Sequence, residues 1–193
     1  MNLDERAKCW AEFKLATQNR RHPFRQPVVM SIDEEGYPAG RVLTLRHADP
    51  HLHTLRFHLD RRSPKFAQWE RQPVAAAVFY NPAARWQVRV KGVTDLHYED
   101  EIAREAWDNS HPMCWRTYLA KYAPGAEISD EEPVFPEGLE RRRPTLAESE
   151  PGYRNFAVLL VEVVEIDSLH LAGAGHSRYR INEDELRVQR LAP

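Results

Sequence analysis

Apolar positions at the start of the chain recur about one helical turn apart. Leu3, Ala7, Trp10 and Phe13 are separated by charges, which predicts an amphipathic helix over about 3–19, ended by Arg20, Arg21, His22 and Pro23. The period then changes. Pro27–Ile32, Gly40–Arg46, Thr54–Leu59, Val74–Tyr80 and Trp86–Tyr98 are short apolar or alternating runs bounded by turn residues such as Asp33–Gly36 and Asn81-Pro82. Each reads as a strand. Between them, Ser63–Arg71 reads as a helix, with Ser63 as its cap, Pro64 in the first position, and Phe66 and Trp69 as the buried side.

Glu99–Asn109 predicts another helix with Ile102, Ala106 and Trp107 inward. Residues 123–152, with Pro124, Pro133, Pro136, Pro144 and Pro151, read as a long surface excursion. Phe156–Ile166 is the strongest strand signal, and short strands around Ser177–Ile181 and Leu186–Leu191 close the chain. Many strands at short spacing with a few helices predict a mainly β, α+β fold: a closed or split β-barrel decorated by helices, in one domain of 193 residues.

Charge narrows the partners. Lys plus Arg is 27 and Asp plus Glu is 29, a net charge of −2, which argues against a generic nucleic-acid binder. No apolar run reaches the ~18 residues of a membrane span. The charged, periodic N-terminus is unlike a signal peptide, so the expectation is a cytoplasmic protein. Two cysteines, Cys9 and Cys114, make neither a disulfide framework nor a zinc site.

The sharpest candidate chemistry is anion binding. Arg41 on a strand, followed by Ser63-Pro64-Lys65 at a helix start with Arg61 and Arg62 just before, predicts a phosphate pocket. The plainer alternative is a capped surface helix with solvated cations. Arg41 shares a strand face with Leu43 and Leu45, and so needs a partner, which a local carboxylate would equally supply. Gln87, Arg89 and Lys91 share one face of their strand. That face is either solvated or uses the Gln87 amide, donor and acceptor together, against the imide-like edge of a flavin or pyrimidine ring. His51 and His53 lack a third metal ligand, so no metal site is expected. Cys114, near His111 and Arg116, is expected to be a buried structural cysteine rather than a reactive thiol. Trp107, Trp115 and Tyr118 read as core packing or, alternatively, as a platform for a planar ligand.

In order along the chain, Ser31–Pro38, Arg41-Val42-Leu43-Thr44-Leu45-Arg46, Phe57-His58-Leu59, Ser63-Pro64-Lys65, Val74–Tyr80, Arg85-Trp86-Gln87-Val88-Arg89-Val90-Lys91-Gly92 and the terminal Arg190-Leu191-Ala192-Pro193 resemble the pyridoxamine 5′-phosphate oxidase family of flavoproteins. The resemblance implies an FMN-binding split β-barrel of Greek-key type and a homodimer with FMN at the interface. It implies that Arg41 and Lys65 hold the FMN phosphate with Ser63 assisting, that Val42, Leu43 and Thr44 run beside the ring, and that Gln87 meets its polar edge.

The departures are equally specific. The family's substrate-phosphate Tyr, Arg and Ser fall on Trp107, His111 and Trp115, and its C-terminal Arg-x-His-x-Arg appears as Ala174, His176 and Arg178. The substrate is therefore expected to differ and to be more apolar. In the divergent branch that the chain resembles, Arg116 and Arg178 contribute to the flavin pocket, and His176 is the candidate substrate contact or proton donor. The main expectation is an FMN-dependent oxidoreductase acting on a small molecule. Its rivals are a true pyridoxamine 5′-phosphate oxidase, a flavin- or ligand-binding module without turnover, and a nucleic-acid-binding barrel.

Overall fold

The computed structural model describes residues 3–140, 142–172 and 175–193. Helix α1 (Leu3–Gln18) opens the chain. It is followed by strands β1 (Val28–Ile32), β2 (Pro38–Val42), β3 (His47–Asp49) and β4 (Thr54–Asp60), then α2 (Pro64–Arg71), β5 (Val74–Asn81) and β6 (Trp86–His97). Helices α3 (Glu101–Asp108), α4 (Pro112–Tyr118) and α5 (Leu146–Ser149) come next, and β7 (Phe156–Ala172), β8 (Gly175–Asn182) and β9 (Arg187–Leu191) complete it. Among the described residues, no helix is long and apolar enough to cross a membrane.

All nine strands join one antiparallel sheet in the order β2-β1-β5-β6-β7-β4-β3, with β8 and β9 branching from β7. The branch arises because β7 is 17 residues long. Its first half pairs with β4 and its second half with β8, both on the edge away from β6. Where the partner changes, the register slips between Lys91 and Gly92, a bulge that bends the sheet. Gly92 belongs there for a steric reason: a Cβ would lie 2.2 Å from the Glu162 carbonyl oxygen. The result is the expected α+β split barrel.

One core fills the barrel. Phe57, Phe79, Val88, Val90, Leu159 and Ile166 are fully or almost fully buried there, capped by Cys9, Trp10 and Phe13 of α1. Glu183 anchors that helix, accepting hydrogen bonds from Trp10 Nε1 at 2.9 Å and Arg6 Nε at 2.7 Å. A second core joins α3 and α4 to β7 through Trp107, Trp115, Tyr118 and Phe156, so the aromatic cluster is packing.

Several sequence expectations need correction. The strand predicted over Gly40–Arg46 ends at Val42, because Leu43 and Leu45 turn their amides to the Pro27 and Arg25 carbonyls. Ile102 faces solvent, 37% exposed, and Ala103 takes the inward place. Helix α4 was not predicted, and β7 runs past Ile166 because β6 and β8 pair with its charged residues on both edges. Cys114 is half-buried rather than enclosed.

Candidate functional site

Arg41 and Val29 are paired across β1 and β2, so the Arg41 side chain lies on the core-facing side at the sheet's edge. There it meets α2. Its guanidinium donates to Ser31 Oγ at 2.7 Å and to Gln68 Oε1 at 3.0 Å, and lies 5.3 Å over the Trp69 ring. Ser31 in turn donates to Gln68 Oε1 at 2.5 Å. These partners are neutral, so the positive charge is positioned but not cancelled. Lys65, in the first turn of α2, sits close enough to feel it. Burial, and behind it the Arg41 charge, pushes the Lys65 ammonium below the usual lysine range, with Asp60 opposing. Neither cation forms an ion pair with a carboxylate among the described residues. Two converging, partly desolvated cations beside a hydroxyl form an arrangement that a phosphate dianion satisfies.

The neighbouring residues behave differently from expectation. Ser63 occupies the cap position of α2, but its buried hydroxyl donates back to the Asp60 carbonyl at 2.5 Å and makes no cap bond. Arg62 is locked onto Asp60, and Arg61 pairs with Glu99 over the Tyr98 ring. Of Arg41, Arg61, Arg62 and Lys65, only Arg41 and Lys65 are left without a carboxylate among the described residues, and Ser31 and Gln68, not Ser63, are the polar side chains that hold Arg41. Ser31 was within the motif; Gln68 was visible only as one more polar position of a helix.

The remaining predicted residues lie apart. Val42 is exposed and pairs with Val28 on the outer side of the sheet; Leu43 and Thr44 are half-buried in the irregular stretch after it. Gln87 alternates with buried Trp86 and Val88, so it too projects from the outer face, opposite to Arg41. Arg178, level with Leu169 on β8, closes on Asp167 through Nε and Nη2, the latter at 2.8 Å, and Arg89 reaches the same carboxylate at 2.8 Å. Burial works against the Asp167 charge, but these two guanidiniums hold its carboxyl below the usual range. Arg116 donates to the Glu140 carbonyl and lies over Phe135, in the excursion. His176 is exposed on β8, opposite Leu171; Ala174, the departure two residues earlier, lies outside the described residues. One chain thus brings Arg41 and Lys65 together and sets Gln87 and Arg178 on the other face.

That outer face carries grooves of about 490 and 250 Å³ that share Met30, Ala76 and Lys91. Around them Val28, Val42, Val74, Tyr80 and Val93 are 40–58% exposed. No group of three or more potential metal ligands exists among the described residues, and His53 instead lies 3.7 Å from Glu183.

Comparisons with known proteins agree with this architecture. Residues 7–98 match the model of the pyridoxamine 5′-phosphate oxidase FMN-binding domain. A pyridoxine/pyridoxamine 5′-phosphate oxidase of Pseudomonas syringae is 30% identical over 176 residues, covering 84% of this chain and 75% of that protein. A putative pyridoxamine 5′-phosphate oxidase of Caenorhabditis elegans is 34% identical over 120 residues; there the match spans 61% of this chain and about half (48%) of the relative. Among solved structures, a pyridoxamine 5′-phosphate oxidase-related, FMN-binding protein of Nostoc punctiforme superposes with a TM-score of 0.75 at 23% identity, covering 96% of both chains. PhzG of Burkholderia lata, in complex with tetrahydrophenazine-1-carboxylic acid, superposes at 0.70 and 17% identity, covering 97% of this chain and 90% of that one. At those identities the two structures speak for the fold. With the matched domain and the Pseudomonas relative beside it, the chain belongs to the pyridoxamine 5′-phosphate oxidase-like family.

Proposed function

We propose that this protein is an FMN-dependent oxidoreductase whose substrate differs from a vitamin B6 phosphate. The observation that carries the reading is the pair Arg41 and Lys65, two converging cations held by neutral partners at the edge of the barrel. Bound FMN would supply hydride or electron transfer. The chain's own residues then bind and orient. Arg41 and Lys65 would hold the phosphate, and Val42, Leu43 and Thr44 would run beside the ring. His176 is the candidate for a substrate contact or proton donor.

Gln87 fits the polar edge of a flavin, since its amide makes no side-chain hydrogen bond among the described residues. It faces away from Arg41, so one flavin meets both only if two copies of the chain contribute. The half-exposed Val28, Val42, Val74 and Val93 around the outer grooves support such a homodimer, because apolar surface of this extent favours burial against a partner.

A titration of the purified protein with FMN, followed by its visible spectrum, tests the reading. Saturable binding with perturbed flavin bands, together with dimers by light scattering, is the expected result. Absence of binding would remove the flavin reading. Tight binding with no reduction of the flavin by any dicarboxylate, amine or nicotinamide donor would favour a module without turnover. Formation of pyridoxal phosphate at a rate typical of an oxidase would restore the B6 assignment.

A further inference from the structure

The turn that launches α2 also fastens the long segment between α4 and β7. Asp60, the last residue of β4, is buried. Its carboxylate accepts from Arg62 Nε at 3.0 Å, from Arg62 Nη2 at 2.6 Å and from the Arg62 amide at 3.0 Å, while its carbonyl accepts from the amide and the hydroxyl of Ser63. The remaining guanidinium nitrogen, Arg62 Nη1, donates to the Ala120 carbonyl at 2.9 Å, just past α4. The other end of the segment is tied to the same turn. The Arg61 amide donates to the Asn155 carbonyl at 2.9 Å, and Asn155 Nδ2 donates to the Tyr118 carbonyl at 2.8 Å. Lys65 stands three residues beyond Arg62. Residues 60–65 thus join one cation of the phosphate pair to both ends of the segment.

Two observations give this junction more than a structural role. First, residues 119–140 have little of their own to hold them. Leu139 alone among them is buried. Besides Arg62, the segment is held by the Lys121 amide on the Val134 carbonyl at 2.8 Å, and by Arg116, which donates to the Glu140 carbonyl at 2.7 Å and lies over Phe135. A segment with so little buried apolar surface opens at small cost in free energy, so one tether shifts its order. Second, Asp60 serves two cations. Arg62 touches it, and Lys65, half-buried in the first turn of α2, feels its field without pairing with it. While Lys65 is unliganded, both cations draw on one carboxylate. A phosphate at Arg41 and Lys65 answers the Lys65 charge and leaves Asp60 to Arg62, which firms the fork that reaches Ala120.

We infer that phosphate bound at Arg41 and Lys65 orders residues 119–140 through Asp60 and Arg62, so that the segment closes down as the cofactor loads and loosens when it leaves. The inference rests on the flavin-phosphate reading of Arg41 and Lys65 and deepens it, since the residues that bind the cofactor also pass its presence to the α4 side of the molecule. Coupling of this kind is reciprocal: loosening the segment lowers affinity for the phosphate by a matching factor.

Hydrogen–deuterium exchange of the full chain, with and without saturating FMN, tests it, and quenching of flavin fluorescence measures binding in parallel. With FMN, amides of residues 119–135 should exchange about fivefold or more slower, the low end of usual coupling between sites. Riboflavin, which lacks the phosphate, should not slow them at equal flavin occupancy. Arg62→Lys keeps a positive charge beside Asp60 but has no fork to reach Ala120. It should still bind FMN, about fivefold or more weakly, and lose the FMN-dependent slowing. FMN binding without any change of exchange in the parent overturns the coupling and leaves the flavin reading standing. Equal slowing by riboflavin, or an Arg62→Lys protein that keeps the full slowing, does the same. Absence of FMN binding removes the flavin reading and the coupling together. If Arg62→Lys does not melt cooperatively, Arg62→Gln and the riboflavin comparison decide by the same criteria.

Discussion

Arg41 and Ser31 meet across the first two strands, guanidinium to hydroxyl at 2.7 Å, and the hydroxyl in turn donates a hydrogen bond to Gln68 Oε1. Every partner of Arg41 is neutral, so its charge remains available to a ligand. Lys65 is the second such cation. Removing either by Arg41→Ala or Lys65→Ala should weaken FMN binding by about 1.5–3 kcal/mol, the range for hydrogen bonds to charged groups. Quenching of flavin fluorescence measures it. Ser63→Ala should leave FMN affinity near the parent value, because that hydroxyl is turned to the Asp60 carbonyl.

Gly92 has the least room for a side chain of the glycines among the described residues. A Cβ there would stand 2.2 Å from the Glu162 carbonyl oxygen and 2.7 Å from Val161 Cγ1. Backbone cannot retreat as a flexible side chain would. Gly92→Ala should therefore destabilise the fold by about 1–3 kcal/mol or more, as overpacking does. Chemical denaturation would show it as a lower midpoint at an unchanged slope.

The second core makes a contrast between neighbours. Trp107 is fully buried against Trp115, Tyr118, Tyr153 and Phe156, whereas Ile102 on the same helix is 37% exposed. Trp107→Ala should cost about 3–5 kcal/mol. Ile102→Ala should cost well under that, within about 0.5 kcal/mol of the small effects usual at surfaces. If both melt alike, α3 packs on a different face.

His58 sets an acid dependence. Burial, and behind it the Arg46 and Arg56 charges, push its imidazole down to about 3 from an ordinary value of 6.5. Between those values the unfolded chain binds the extra proton and the native protein does not. Stability from this group is therefore complete above about pH 6.5 and declines as pH falls toward 3. In His58→Phe the slope of stability against pH in that window should be smaller by about one proton. Urea denaturation at a series of pH values reads it. An unchanged slope would mean that His58 takes up its proton in the native state near its ordinary value.

Buried Glu183 ties α1 to the barrel through Arg6 and Trp10, and His53 lies nearby. Glu183→Ala should leave Arg6 Nε and Trp10 Nε1 without their acceptor, at a cost of about 3–5 kcal/mol. The first effect to appear should be faster amide exchange along α1.

Local periodicity was enough for most of the framework. The change from a helical period in Ala7–Phe13 to alternation in β4, β5 and β6 follows from which faces must leave water, and that is written residue by residue. The start of α2 at Pro64 and the buried places of Phe66 and Trp69 were legible for the same reason. Arg41 and Lys65, singled out from the order of motifs, lie near enough in the structure for one charge to act on the other. Three things were decided only by the tertiary structure. The strand after Arg41 stops at Val42 because its next amides are taken by residues far back in the chain. Asp167, charged and therefore poor strand material alone, is held within β7 because Arg89 and Arg178 from two neighbouring strands share its carboxylate. Arg20, Arg25, Arg46 and Arg56, spread over 37 positions, face one cavity only because α1, its following turn and β4 close on each other. Sequence records what each residue is and the face it prefers. Which charges end up together, and whether any carboxylate reaches them, depends on contacts between distant segments that local pattern does not encode.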